Sequence, residues 1–195
     1  MMEMAGLAQK GGAVHIHCRV AEKPDDIAAI RVATGECDTL IGGDLVVSAA
    51  SKTLGLMEQG RTRAVVNAHE IMTGEFTRDT DFTLPVDQLS LALSARIKAG
   101  LSMFDASDLA KAVMGDAIFS NMMVFGAAWQ QGGVPVSRGA IHRAIELNGT
   151  AAARNIEAFE VGRWAYLHPD AAAKAMAPDF VELPKTTEER IAFRA

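Results

Sequence analysis

Four places in the chain carry residue types that could bind or transfer something. The first is Gln9-Lys10-Gly11-Gly12. Paired glycines let backbone amides approach a ligand with no Cβ in the way, and Lys10 adds a mobile positive charge suited to phosphate or carboxylate. The second is His15 and His17, two imidazoles on one face of an alternating run that could begin a metal site. No third ligand stands at a suitable spacing, so polar residues on a solvated or interface face are the expectation. The third is Asn67-Ala68-His69-Glu70, which follows a short apolar run. In a parallel sheet the residues just past a strand's carboxyl end line the ligand crevice. His69 and Glu70 are therefore candidates for acid–base or polar contacts, beside the plainer reading of an exposed loop. Asp105 and Ser107 hold the equivalent place after a later run and read as helix caps.

Other residues suggest structure before chemistry. Gly115-Asp116 with Asn121 opens a long helical block, where free amides could receive an anion; Asp116 would repel one, so capping is expected. Asn155 and Arg163, with Gly162 between them, suit a solvated face or a subunit contact. Phe125, Trp129, Met103, Met114, Met122 and Met123 suit core or interface packing. Cys18 points the same way as Ile16 in the alternation and reads as a buried thiol. No Cys-x-x-Cys-x-x-Cys run, Gly-x-Gly-x-x-Gly loop or Walker-type loop is present, nor is a Gly-Asp-Gly segment with a following Asn pair. The sequence displays no redox machinery of its own.

Composition bounds the rest. The 195 residues are 49% hydrophobic and 22% charged, with a formal net charge of −5. That suits one globular domain, or a domain and an appendage, and argues against a general nucleic-acid footprint. Two cysteines are too few for a disulfide framework and point to a reducing compartment. No apolar run reaches a membrane span and no basic region leads into an apolar stretch, so a cytoplasmic location is expected.

The elements that would position these residues follow from periodicity. Residues 13–20 alternate as a strand, with His15, His17 and Arg19 on one face and Val14, Ile16, Cys18 and Val20 on the other. The Gln-Lys-Gly-Gly turn lies before any strand. Residues 27–33 suggest a second, paired strand. Residues 39–42, 63–67 and 101–104 read as short buried strands. Asp44 caps a helix over 45–58, which Gly60 ends. Residues 69–84 lack a helical stripe and read as an exposed excursion; 86–98 read as a helix, and Ser107 caps a short helix closed by Gly115. Three helices follow at 116–131, 137–147 and 149–167, and the tail from Pro169 reads as an extended arm. The expectation is a Rossmann-like layered α/β fold, with a mostly parallel sheet flanked by helices and a helical C-terminal third.

With these residues in view, Met4-Ala5-Gly6-Leu7-Ala8-Gln9-Lys10-Gly11-Gly12-Ala13-Val14 resembles a segment of the γ-type domain of 2-oxoacid:ferredoxin oxidoreductases, most closely the indolepyruvate type. Further matches run in order through Gly35-Glu36-Cys37-Asp38, residues 60–67, Glu75-Phe76-Thr77-Arg78, Gly115-Asp116-Ala117-Ile118 and Gly133-Val134-Pro135. The last are Arg143-Ala144-Ile145-Glu146-Leu147-Asn148-Gly149, Asn155, Ala158-Phe159 and Gly162. The resemblance implies a γ-type domain over residues 1–168, followed by an arm over 169–195. It implies a piece of an enzyme that oxidatively decarboxylates 2-oxoacids and passes electrons to ferredoxin. Gln9, Lys10, Gly11 and Gly12 would face the coenzyme A side of its cleft, with Asn67 and His69 as weaker candidates. No cofactor is assigned to this chain; thiamine diphosphate, Mg²⁺, iron–sulfur clusters and coenzyme A would belong to the whole complex. Its partners would be thiamine-binding and iron–sulfur subunits or domains and, through them, ferredoxin, with no nucleic acid and no membrane.

The family's domain normally opens with a βα unit carrying a glycine-rich loop, which this sequence lacks ahead of its Gln-Lys-Gly-Gly segment. The expectation is an unpaired neighbouring strand and self-association of the isolated chain. The alternative function is a stand-alone binding or assembly module that keeps the fold without redox activity.

Overall fold

The computed structural model describes the backbone of residues 2–5, and residues 13–69 and 86–177 in full. At its centre lie three parallel strands in the order β3 (Thr39–Gly42), β4 (Arg63–Asn67) and β5 (Leu101–Phe104). All three stand where the sequence places them, but of the three only the central β4 is covered on both faces. Ile41 of the outer β3 is 40% exposed and β5 is half-buried throughout, because an outer strand has a neighbour on one side alone. Ala64, Val65 and Val66 of β4 are fully buried. Their side chains alternate between two cores: Val65 packs with helical residues on one face, while Ala64 and Val66 join Leu45, Leu93 and Ile97 on the other.

The first of these cores is built by α4 (Ala106–Met114), α5 (Ser120–Gln130), α7 (Ala152–Leu167) and α8 (Pro169–Met176). The second face is covered by α1 (Leu45–Ser48) and α3 (Val86–Ile97). Helices α2 (Ser51–Leu56) and α6 (Arg138–Asn148) complete the periphery. The closest helix crossing, α5 on α7, rests on two glycines. A Cβ at Gly162 would collide with the Met123 carbonyl, and one at Gly126 with the Phe159 carbonyl. Phe159 fills the crossing beside Phe125, Trp129 and the edge of His142. Gly162 is thus committed to packing within the chain. On its neighbours, Asn155 donates to the Thr150 carbonyl, while Arg163 bonds Gln130 and lies over the Trp129 ring.

Several boundaries differ from expectation. A strand does precede the Gln-Lys-Gly-Gly segment: β1 (Met2–Ala5) pairs antiparallel with β2 (His15–Cys18). The faces of β2 are reversed. His15, His17 and Arg19 turn toward the body, while Ile16 and Val20 are 59% and 64% exposed and Cys18 is an exposed free thiol rather than a buried one. Polar partners on the body, absent from any single-strand pattern, decide which face turns inward. Residues 27–33 form no strand; a single 3₁₀ turn, Pro24–Asp26, precedes them. The helix over 45–58 is two short ones, broken at Ala49-Ala50, although Asp44 caps the first by accepting from the Val47 amide. Asp105, not Ser107, caps α4, and Gly115 closes it in the left-handed region at φ 79°. Asp116 caps only the 3₁₀ turn Ala117–Phe119, so the next helix starts at Ser120. The start of the tail is helical, with Ala172 of α8 buried in the first core, while 178–195 lie outside the described residues. Among the described residues, no helix is long and apolar enough to cross a membrane.

Candidate functional site

The parallel register brings the carboxyl ends of all three strands to one edge, with Gly42 beside Val66 and Asn67 beside Phe104. Asn67 organises that edge. Its side-chain oxygen accepts from the backbone amides of Ala106 (2.9 Å) and His69 (3.2 Å). Its amide nitrogen donates to the Ser107 hydroxyl (3.0 Å) and the Gly43 carbonyl (3.4 Å). One buried carboxamide, 3% exposed, therefore ties together the loops that leave β3, β4 and β5. Only a side chain with both a donor and an acceptor can serve all four partners.

His69 stands at the rim that Asn67 fixes. Its Nδ1 lies 2.9 Å from Asp105 Oδ2, with the two side chains 25% and 29% exposed. The carboxylate accepts, so Nδ1 carries the proton and Nε2 of the neutral ring is left as an acceptor. The other oxygen of Asp105 accepts from the Asp108 amide at 2.7 Å, which fixes the carboxylate that orients the imidazole. Lys111 holds Asp108 at 2.8 Å, and that hydrogen bond keeps the Asp108 carboxyl below its ordinary range. The arrangement suits proton exchange at Nε2 with a ligand resting on the strand ends.

A cation or cluster suits the described residues less well. His69, Asp105 and Asp108 each offer one ligand atom within 4.8 Å of the others. Asp108 is already neutralised by the Lys111 ammonium, and Asp105 already serves both His69 and a helix start. A Mg²⁺ ion, which favours an octahedron of oxygens, would compete with that ammonium for the same carboxylate. An iron–sulfur cluster takes four thiolates, whereas the chain holds two cysteines. Cys37 is partly buried, its Sγ donating to the Thr39 carbonyl, and burial raises the thiol's pKa.

The site therefore unites Asn67 and His69 with Asp105 and Ser107. Gln9, Lys10, Gly11, Gly12 and Glu70 lie outside the described residues, as does most of the excursion over 69–84. His15 and His17 are not part of this edge; they face the body from β2, bonded to Thr53 and to the Val32 amide. Sequence reasoning missed Asp108, Lys111 and Gly43. The first two carry a readable signal, since Asp105, Asp108 and Lys111 recur every three residues on the first turns of a helix. The structure also joins Gly35-Glu36-Cys37-Asp38 to the Gly60-Arg61 turn and to Arg19. Arg61 bonds Asp38 at 2.7 Å, and Arg19 bonds Glu36, around a groove of about 270 Å³.

No curated protein and no solved structure matches the chain significantly. The family model described as pyruvate ferredoxin/flavodoxin oxidoreductase matches residues 1–165, most of the 195-residue sequence. On that match, joined to a parallel α/β fold with a polar cluster at its strand ends, the chain belongs to the pyruvate ferredoxin/flavodoxin oxidoreductase family.

Proposed function

We propose that this chain is the γ-type domain or subunit of an indolepyruvate-type 2-oxoacid:ferredoxin oxidoreductase, and that it positions an acyl acceptor without making bonds itself. The observation that carries this reading is the strand-end edge locked by Asn67, within a fold whose family match spans residues 1–165. Thiamine diphosphate would supply the decarboxylation chemistry and iron–sulfur clusters the electron path, both on companion chains or domains. The donor sets described above support that division of labour. Coenzyme A is the proposed acceptor, and Lys10 with Gly11 and Gly12 are its proposed phosphate contacts. His69, oriented by Asp105, offers an acceptor nitrogen at the rim, while Asn67 fixes the loop that carries it.

The test is co-expression with a thiamine-binding partner, followed by 2-oxoacid- and coenzyme A-dependent reduction of ferredoxin. Lys10→Glu should raise the KM for coenzyme A while leaving assembly intact. Unchanged kinetics would discard the loop assignment.

A further inference from the structure

The reversed face of β2 means that His15, His17 and the adjacent Arg19, rather than Ile16, Cys18 and Val20, face the body from that strand. Three successive inward residues carry described links. At the tip, where Ala5 pairs with His15 across the hairpin, His15 Nε2 lies 3.1 Å from Thr53 Oγ1. Thr53 spends its own proton on the Val47 carbonyl at 2.7 Å, so the imidazole is the donor there. In the middle, His17 Nδ1 accepts from the Val32 amide at 3.0 Å. At the base, Arg19 donates to the Arg31 carbonyl and pairs with Glu36.

We propose that His15 and His17 are positioning residues that hold the hairpin tip on the body as neutral imidazoles, and that protonation frees the tip while Arg19 keeps the base attached. The two histidines act differently and push the same way. An imidazole that accepts from an amide must be neutral, and a proton on His17 Nδ1 would set one N–H against another. His15 would keep its donor on protonation, but burial, then Lys52 of α2, then His17 disfavour its charge in the docked state. Its pKa is thus lower docked than free. Docking through His15 is therefore fully favoured above the free imidazole value and weakens as pH falls through it. Histidine is the side chain that changes charge between pH 5 and 8.

The charged groups around the hinge set the order of release. Lys52 faces His15, and the backbone register sets Glu3 at the position opposite His17. Arg19, Glu36, Asp38, Arg61 and Asp26 surround the groove below. The Arg19 hydrogen bond holds the Glu36 carboxyl below its ordinary range, so that pair stays ionised after the imidazoles have charged. Release at mildly acid pH is consequently partial. It frees the Ala5–His15 end of the hairpin and leaves the other end tethered.

The direct readout is exchange of the Val32 amide hydrogen in the full chain, expressed as protection relative to its intrinsic rate. Protection at Val32 should fall about tenfold between pH 7.5 and 5.5, the weight of roughly one hydrogen bond, while that at Val65 holds. His17→Asn keeps an acceptor near the Nδ1 position and cannot titrate, so its Val32 protection should stay flat; His17→Phe should lack it at both pH values. Equal wild-type protection at the two pH values, or a fall in His17→Asn matching the wild type, would overturn the latch. The consequence for catalysis rests on the reading that residues 9–12 face coenzyme A. In the assembled enzyme, the KM for coenzyme A should then rise at pH 5.5 in the wild type and not in His17→Asn. A switching Val32 amide with an unmoved KM would keep the latch and remove the loop assignment.

Discussion

Replacing Asn67 by Ala should cost more stability than its small change in volume suggests. The methyl group removes four hydrogen bonds at once and leaves the Ala106 amide buried with no partner, since Ala106 is fully inaccessible. A buried donor left unpaired costs about 1–3 kcal/mol, and loss of the link to Ser107 with the small cavity adds to it. The sum is a destabilisation of about 2–4 kcal/mol. Urea unfolding would report it as a fall in the midpoint at constant slope. Asn155→Ala is the matched control, because its exposed amide makes a single bond, to the Thr150 carbonyl, and should cost no more than about 0.5 kcal/mol. In the same variant, loss of the Asn67 acceptor unpins the loop carrying His69, so protection of the His69 amide against hydrogen exchange should fall. An Asn67→Ala protein within about 0.5 kcal/mol of the wild type would refute the claim that this side chain ties the strand ends together.

Two further outcomes follow from packing and charge. Gly162→Ala should destabilise by about 1–3 kcal/mol, because the clash is with backbone of α5 that cannot rotate away. Gly139→Ala, on α6 with open space around its Cβ position, should stabilise by up to about 1 kcal/mol; the same sign for both in thermal melts would contradict the crossing geometry. Burial opposes ionisation of Glu160, yet Arg138, His142 and Arg163 outweigh it and hold its carboxyl below the ordinary value. Its contribution is present above the unfolded carboxyl value and lost as pH falls through it. Wild-type melting temperature should therefore drop more steeply below about pH 5 than that of Glu160→Gln, and parallel slopes would deny the cluster a role.

The central sheet was legible because its strands announce themselves locally. Ala64-Val65-Val66 is apolar without interruption and bounded by Arg63 and Asn67, the pattern of a strand covered on both faces. Caps at Asp44 and Asp116 and the stop at Gly115 were equally local, resting on side chains within three residues of the groups they serve. What escaped was decided at long range. The orientation of β2 depends on Thr53 and the Val32 amide, and the break of the predicted 45–58 helix at Ala49-Ala50 carries no mark in its periodicity. Ser107 reads as a cap in isolation; only the pairing of β4 with β5 shows that its hydroxyl belongs to Asn67. Asn67 and His69 could be picked out as residues following a strand, but their union with Asp105 required the parallel register.

Reconstitution tests the account most directly. The chain, co-expressed with a thiamine-binding companion that carries clusters, should co-purify with it and restore 2-oxoacid-dependent reduction of ferredoxin with formation of an acyl-CoA, while neither component alone turns over. Decarboxylation by the isolated chain, or full activity of the companion in its absence, would contradict an accessory role.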